Sequence, residues 1–330
     1  MHPAPTPIRL FIALLLALVG WAGLTPALAQ TDAGYPRKPI RMLLGFPPGG
    51  GSDIVARLVA QPLGELLGHN VVVDNKPGAG GNIAADMAAK ATPDGYTLIL
   101  LPSGHASSAA MKKSLPFHPV NDFAWISTLT TYPLALSVAP GSAIQSFPDL
   151  LKRAKAEPGK FSYATSGVGT APHLIGEWIT NEAGVNLIHV PFKGGTGSMT
   201  ELLAGRVDVM IDTMTLTAAL LKDQRVRALA VTAAAGNSNL PGVPAVADVL
   251  PGLVFESWLG IAAPAGTPTA ILDRLNQALR NVLDRPEVRQ KLIALGGSPR
   301  ASSGAEFQDR MERDTARLRK IVRDAKIEME

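Results

Sequence analysis

The sequence of 330 residues contains no cysteine. This absence excludes disulfide bonds, thiolate nucleophiles, cysteine metal ligands and a lipid attached through a cysteine. Aromatic residues make up only 5% of the chain, and Lys and Arg are interspersed with Asp and Glu to give a formal net charge of +4. Such a mild and scattered charge argues against a nucleic-acid surface, so no nucleic-acid partner is expected.

Long hydrophobic runs are also missing. After residue 30, no stretch approaches the roughly 18 apolar residues that a membrane-spanning helix needs. The apolar run over residues 10–19 is too short for that purpose. It is preceded by Arg9 and followed by the sequence ALA at residues 27–29. This arrangement is typical of a secretory signal peptide. We expect residues 1–29 to be removed after Ala29, which would leave an exported, periplasmic protein without a lipid anchor.

The motifs of several common enzyme classes do not occur. The sequence lacks the phosphate-binding loop GxxxxGK[ST], the nucleophile elbow GxSxG and the zinc motif HExxH. The segment GVG at residues 167–169 lacks the third glycine of a dinucleotide-binding motif, and the six histidines are dispersed. We therefore expect a protein that is not an enzyme and that has no catalytic residue, no cofactor and no metal.

Short apolar runs alternate with helical periodicity along the chain. Strands are predicted over residues 40–45, 71–74 and 96–101, with helices over residues 53–67 and 81–89. This β-α-β-α-β order indicates a parallel sheet with helices on its faces. The alternation resumes at residue 134, and after an extended segment three helical stretches complete the chain, the last from Arg310. The length suggests two domains of one α/β architecture.

Four loops that follow predicted strands are rich in glycine and hydroxyl side chains, and three of them lead into a predicted helix. The four loops are FPPGGGSD at 46–53, PSGH at 102–105, SGVGTAP at 166–172 and PFKGGTGS at 191–198. Each could place backbone N–H groups and a helix start against an anion, or could be only a tight turn, for instance one capped by Ser52. Gly50 and Gly51 would allow close backbone approach and could require a positive φ. Because open parallel sheets bind ligands beyond the carboxyl ends of their strands, we expect the loops to converge on one cleft.

Some polar side chains allow two interpretations. His173 could be a structural hydrogen-bonding group or a ligand contact. Lys193 could be a solvated lysine or could face an anion. Asp208 and Asp212, four residues apart around a strand, are expected to cap, pair or bond the backbone rather than form an acid–base dyad.

Read in order, these loops resemble the exported solute-binding receptors of tripartite tricarboxylate transporters, often called the Bug family. The matching segments of the first half are YPRKPI at 35–40, PPGGGSD at 47–53, NKPGAGGN at 75–82 and PDGYTL at 93–98. Those of the second half are SGVGT at 166–170, VPFKGG at 190–195, GRVD at 205–208, LAVT at 229–232 and APAGTP at 263–268. The resemblance covers nearly the whole chain after the predicted signal peptide.

The resemblance implies a type II periplasmic binding fold, in which two α/β lobes are joined by two crossing strands and hold the ligand in a cleft. Residues 30–131 and 254–330 would form lobe 1, and residues 132–253 would form lobe 2. The ligand would be a small carboxylate held largely by backbone amides, hydroxyls and bridging waters. The partners would be the membrane components of a tripartite tricarboxylate transporter, and we expect a monomer.

The residues that the resemblance assigns to ligand binding lie in the glycine-rich loops and at the cleft floor. They are Phe46, Pro48, Gly49, Gly50, Gly51, Ser52, Asp53, Ser103, Ser166, Gly169, Thr170, His173, Lys193, Gly194 and Asp212. The chain departs from the family where serines are common, because Ala171 and Pro172 carry no hydroxyl. Two alternatives stay open: a carboxylate-sensing receptor of a two-component signalling system, and a secreted hydrolase or isomerase.

Overall fold

Strands followed by helices make up most of the computed structural model, which describes residues 34–234, 243–324 and 326–329. The described strands are β1 (Ile40–Leu44), β2 (Val71–Asn75), β3 (Thr97–Pro102), β4 (Phe123–Val138), β5 (Ser162–Thr165), β6 (Ile188–Pro191), β7 (Val209–Thr213), β8 (Arg227–Val231), β9 (Glu256–Pro264) and β10 (Ser298–Pro299). The described α-helices are α1 (Gly51–Leu67), α2 (Asn82–Ala89), α3 (Gly104–Met111), α4 (Phe147–Ala156), α5 (Ala171–Ala183), α6 (Gly195–Leu203), α7 (Met214–Lys222), α8 (Thr269–Asp284), α9 (Pro286–Ala294) and α10 (Gly304–Asp324).

The predicted signal peptide and its cleavage site lie outside the described residues. Within the described ranges, every helix is too short or too polar to cross a membrane.

The first three strands form a parallel group in the order β2-β1-β3. Helix α1 joins β1 to β2 and buries Val55, Val59 and Leu63 at the spacing of one helix face. This arrangement confirms the predicted β-α-β-α-β order. It also places the starts of α1 and α3 at the carboxyl ends of β1 and β3.

Two long strands then run through the middle of the sheet. Strand β4 pairs antiparallel with β9 from Phe123 to Pro133, and β9 also pairs antiparallel with β3. The remainder of β4 pairs with β7 and β8 instead. The main order is β2-β1-β3-β9-β4-β7-β5-β6, with β8 and β10 paired to β4 beside this path. Strands β4 and β9 thus connect the first parallel group to a second one.

The second group repeats the local geometry of the first. Strand β5 pairs in parallel with both β6 and β7, and each of these three strands leads directly to a helix, α5, α6 or α7. Three further helix starts are thereby placed at the carboxyl ends of parallel strands. This is the edge at which open α/β sheets bind their ligands.

An aromatic cluster fastens α10 to the two central strands. The Phe307 ring lies edge-on to Trp125 and Trp258, with centroid distances of 4.9 and 5.0 Å. Trp258 is fully buried, and its indole N–H donates to Asp314 Oδ2 at 2.8 Å. Helix α10 therefore covers the crossing of β4 and β9 rather than the cavity described below.

The observed elements differ from the predicted ones in several places, including the short strand β10, which was not expected. Helices α3 and α7 were not expected, β4 begins at Phe123 rather than at residue 134, and α10 begins at Gly304 rather than Arg310. All eight residues of α3 are buried, so the alternation of polar and apolar residues that reveals a surface helix is absent. Burial on both sides also hides the first half of β4, which reads as a mixed apolar and hydroxyl run.

Candidate functional site

A cavity lies at the carboxyl ends of the parallel strands, where helices from both groups begin. Its lining residues come mainly from the four glycine-rich loops, with a contribution from β7 and β9. They are Phe46, Pro47, Gly50, Gly51, Ser52, Pro102, Ser103, Gly104, Ser166, Thr170, Ala171, Pro172, Gly195, Asp212, Thr213 and Ser257.

Five helix starts surround this cavity, namely those of α1, α3, α5, α6 and α7. The residues at their N-cap positions are Gly50, Ser103, Thr170, Gly194 and Thr213. In none of these five described helices does the N-cap side chain hydrogen-bond to the first turn. The first N–H groups of a helix lack intrahelical partners and carry a partial positive charge. Five uncapped starts around one cavity create a site suited to an anion.

The side chains around the cavity are hydroxyl-rich and almost uncharged. Among the described lining residues, Asp212 alone has an ionisable carboxylate, and none is Lys, Arg or His. Ser103 and Ser257 share a hydrogen bond of 2.6 Å between their hydroxyls. Thr170 Oγ1 donates to Gly167 O at 2.6 Å. An anion here would therefore meet backbone N–H groups and hydroxyls instead of a buried cation.

The first glycine loop is held from behind by Asp53, which is only 3% exposed. Its carboxylate accepts hydrogen bonds from Gly49 N at 2.9 Å, Asn75 Nδ2 at 2.9 Å and Arg57 Nε at 3.0 Å. Burial raises the pKa of Asp53, but the hydrogen bonds from Arg57, Gly49 and Asn75 outweigh burial and hold the pKa below its ordinary value. Asn75 also donates to Phe46 O at 2.8 Å, so the two side chains fix both ends of the loop.

The glycines of this loop have different roles. Gly49 has a φ of +79°, which favours glycine, whereas Gly50 has a φ of −79°. A positive φ is thus not the reason for glycine at residue 50. Gly51 is the tightest position, because a Cβ there would lie 2.2 Å from Thr215 Oγ1 and 2.7 Å from Thr213 Oγ1. Close approach across the cavity therefore requires glycine at residue 51.

The loop at residues 166–170 is supported by a histidine rather than a carboxylate. Gly169 N donates to Nδ1 of His173 at 3.2 Å, and the His173 ring stacks on His189 at a centroid distance of 4.1 Å. His189 in turn bonds Thr165 Oγ1 at 2.7 Å. Burial, with His173 as a second cause, lowers the pKa of His189 to about 3, so this ring is neutral.

Asp212, near the end of β7, closes the inner side of the cavity. Its Oδ1 accepts hydrogen bonds from Thr213 N at 2.6 Å and Thr213 Oγ1 at 3.1 Å. Its Oδ2 is buried and has no hydrogen-bond partner among the described residues. Burial raises the pKa of Asp212 to about 6, even though the Thr213 bonds oppose that change.

The structure brings eight of the sequence-predicted residues together around the cavity: Phe46, Gly50, Gly51, Ser52, Ser103, Ser166, Thr170 and Asp212. Seven others do not line it. Pro48 and Gly49 lie on the exposed side of their loop, and Gly194 is buried against Pro47. Asp53, Gly169 and His173 support the loops from behind, and Lys193 lines a neighbouring cavity with Phe46 and Ser166. Direct ligand contact by any of the fifteen stays a prediction.

Eight lining residues were not among the predicted ones: Pro47, Pro102, Gly104, Ala171, Pro172, Gly195, Thr213 and Ser257. Six of them belong to the four loops, and the loop spacing alone could have identified those. Thr213 directly follows the predicted Asp212, but the helix that begins after it, α7, was not predicted, so the sequence contained no separate signal for it. Ser257 could not have been found, because it comes from a crossing strand 154 residues away from its partner Ser103.

Comparison with known proteins gives a consistent assignment. The family model described as "Tripartite tricarboxylate transporter family receptor" matches residues 55–327. The periplasmic binding protein BugD has a similar structure, with a TM-score of 0.86, 30% identity, and coverage of 89% of this chain and 99% of that one.

Two solved relatives contain carboxylate ligands. The protein Rpa4515 of R. palustris, solved with adipate, has a TM-score of 0.85 and 32% identity, with coverage of 88% of this chain and 98% of that one. MatC of Rhodopseudomonas palustris, solved with malate, has a TM-score of 0.84 and 28% identity, with coverage of 87% and 100%. The chain therefore belongs to the tripartite tricarboxylate transporter family of receptors, as a Bug-type solute-binding protein with the two-lobe periplasmic binding fold.

Proposed function

We propose that this receptor captures a small carboxylate in the cavity and delivers it, without catalysing a reaction, to the membrane components of a tripartite tricarboxylate transporter. The observation that carries the proposal is the convergence of five uncapped helix starts on a cavity whose described lining residues include no basic side chain. A carboxylate at such a position gains charge-assisted hydrogen bonds worth roughly 1.5–3 kcal/mol each. Adipate and malate in the two relatives are both small carboxylates, which supports this ligand class.

The lobe boundaries are part of the proposal, with lobe 1 formed by residues 30–131 and 254–330 and lobe 2 by residues 132–253. The change of partners along β4, from β9 to β7 and β8, supports a crossing near this position. Contacts between the two sides also occur around the cavity: Ser108 Oγ donates to Gly169 O at 3.2 Å. Closure of the two lobes around the ligand would remove water from the ligand carboxylate and strengthen its hydrogen bonds to the receptor.

Export to the periplasm as a monomer, after cleavage behind Ala29, completes the proposal. Amino-terminal sequencing of the secreted protein and size-exclusion chromatography with light scattering test these two points. A mature chain that begins well before residue 30, or a stable dimer, would contradict them.

The ligand class can be tested by a thermal-shift screen of carboxylates, sugars and amines. A ligand present at about 100 times its dissociation constant adds about 2.7 kcal/mol to the stability of the folded state. We expect the hits to be carboxylates and expect them to be lost in the Gly51→Ala variant, in which the added Cβ meets Thr213 and Thr215. Hits confined to sugars or amines would refute the assignment. Delivery is then measured as receptor-dependent uptake of the hit into vesicles that contain the membrane components.

A further inference from the structure

Only one of the two oxygens of the Asp212 carboxylate has a hydrogen-bond partner among the described residues. Oδ1 is held by the backbone N–H and the hydroxyl of Thr213. Oδ2 lacks a hydrogen-bond partner within the described chain, although the residue is only 3% exposed. A structural role at the start of α7 would account for Oδ1 but gives no function to Oδ2.

The described groups packed beside Oδ2 give it no hydrogen bond. A Cβ built on Gly195 would lie 2.4 Å from Oδ2 and 2.6 Å from Leu216 Cδ2, so this oxygen lies beside glycine backbone and an aliphatic side chain. The described residues that line the cavity include no Lys, Arg or His. A buried acceptor without a partner costs roughly 1–3 kcal/mol, and more when it is charged. A binding site can contain such an unpaired acceptor when the bound ligand supplies the missing hydrogen bond.

We propose that Oδ2 of Asp212 accepts a hydrogen bond from the ligand itself, so that the receptor selects carboxylates whose carbon chain carries an O–H or N–H donor. This inference rests on the proposed function, because it assumes that the carboxylate binds in this cavity. The carboxylate group would take the helix starts and hydroxyls, and the donor would take Asp212. An unsubstituted carbon chain would leave Oδ2 unpaired inside a cavity closed to water.

Matched acids that differ at one carbon test the selection. The probes are three series: propionate, lactate and alanine; succinate, malate and aspartate; glutarate, 2-hydroxyglutarate and glutamate. Calorimetric titration of the mature protein is expected to show, in the series that binds, at least about tenfold tighter binding of a donor-bearing acid than of the unsubstituted one. The order of the hydroxy and amino acids identifies which donor the site takes.

Substitution of Asp212 by Asn then tests whether this residue makes the selection. Thr213 N–H donates to the atom at the Oδ1 position, so the amide oxygen of Asn must occupy that position. The amide NH₂ then replaces Oδ2, and an acceptor becomes a donor. In Asp212→Asn the preference for the amino acid over the unsubstituted acid should fall to within about threefold or reverse. The control Asp309→Asn, on the exposed side of α10, should keep the wild-type order.

The outcomes separate this inference from the proposed function. Equal or tighter binding of the unsubstituted acid by the wild-type protein overturns the inference but leaves a carboxylate receptor. An undiminished preference of Asp212→Asn for the amino acid over the unsubstituted acid, with a normal circular dichroism spectrum, also overturns it, because an ammonium group cannot accept from the Asn amide. If none of the nine acids binds while a carboxylate without a donor is found in the wider screen, the inference is again wrong. If no carboxylate of any kind binds, the proposed function fails as well.

Discussion

The unpaired oxygen of Asp212 predicts that the Asp212→Asn variant of the ligand-free receptor is more stable than the wild type near neutral pH. Burial raises the pKa of this carboxyl from 3.8 to about 6 in the folded protein. One pKa unit corresponds to about 1.4 kcal/mol, so the ionised carboxylate destabilises the folded state by about 3 kcal/mol at pH 7.5. The unpaired amide NH₂ of Asn offsets about 1–3 kcal/mol of that gain, so the net stabilisation is at most about 2 kcal/mol.

The pH dependence isolates the contribution of the carboxyl group, because the amide of Asn does not titrate and its cost is the same at every pH. The folded state holds the Asp212 proton more tightly than the unfolded chain does. The free energy of unfolding of the wild type therefore falls as the pH rises from about 4 to about 6, and this contribution is constant above that range. Relative to the wild type, Asp212→Asn should be about 2 kcal/mol more stabilising at pH 7.5 than at pH 4.5.

Urea unfolding of both proteins at the two pH values measures this difference directly. The Asp309→Asn variant, which removes an exposed carboxylate, is the control and should show no comparable change between the two pH values. If the stability difference between Asp212→Asn and the wild type is the same at both pH values, burial does not raise the pKa of Asp212, and the description of Oδ2 as an uncompensated acceptor is wrong.

Three further substitutions test the site and the core. Gly51→Ala should weaken binding of a carboxylate hit at least about tenfold, whereas Gly50→Ala, whose Cβ would be 3.6 Å from the nearest atom, should stay within about threefold; equal losses by calorimetry would contradict the close approach at residue 51. His173→Phe keeps an aromatic ring against His189 but leaves the Gly169 N–H unpaired, so affinity should fall and stability should drop by about 1–3 kcal/mol; unchanged affinity would show that the loop does not depend on this bond. Phe307→Ala should lower the free energy of unfolding by about 3–5 kcal/mol in urea, because the ring is fully buried against two tryptophans, and a loss below about 1 kcal/mol would mean that α10 is not anchored there.

Much of the fold could be predicted from the sequence, because its signals are local. The apolar run that becomes β1 and the helical spacing that becomes α1 each reflect burial of one short segment. The helix starts after the glycine-rich loops at residues 46–53, 166–172 and 191–198 were predictable for the same reason, since glycine and hydroxyl residues interrupt the periodic pattern. Where burial surrounds an element, as in α3 and the first half of β4, the pattern disappears and the prediction failed.

In the candidate site, too, the features set by local sequence could be predicted and those set by packing could not. Glycine-rich loops such as those at residues 46–53 and 166–172 follow from local chemistry, and the cavity indeed lies among them. That Asp53 and His173 support these loops from behind could not be seen, because a polar residue near a glycine loop has the same sequence signal whether it faces the ligand or the protein interior.

The sequence by itself determined the strands and helices whose periodic pattern is clear, such as β1 and α1, and the positions of the glycine-rich loops. Tertiary structure alone decided that Ser257 meets Ser103 and that Thr215 leaves no room for a Cβ at residue 51. It also decided that one oxygen of Asp212 has no hydrogen-bond partner among the described residues. The physical reason is that helix starts depend on backbone groups within a few residues of one another. Burial and hydrogen-bond pairing instead depend on residues that only the packing of distant segments brings together.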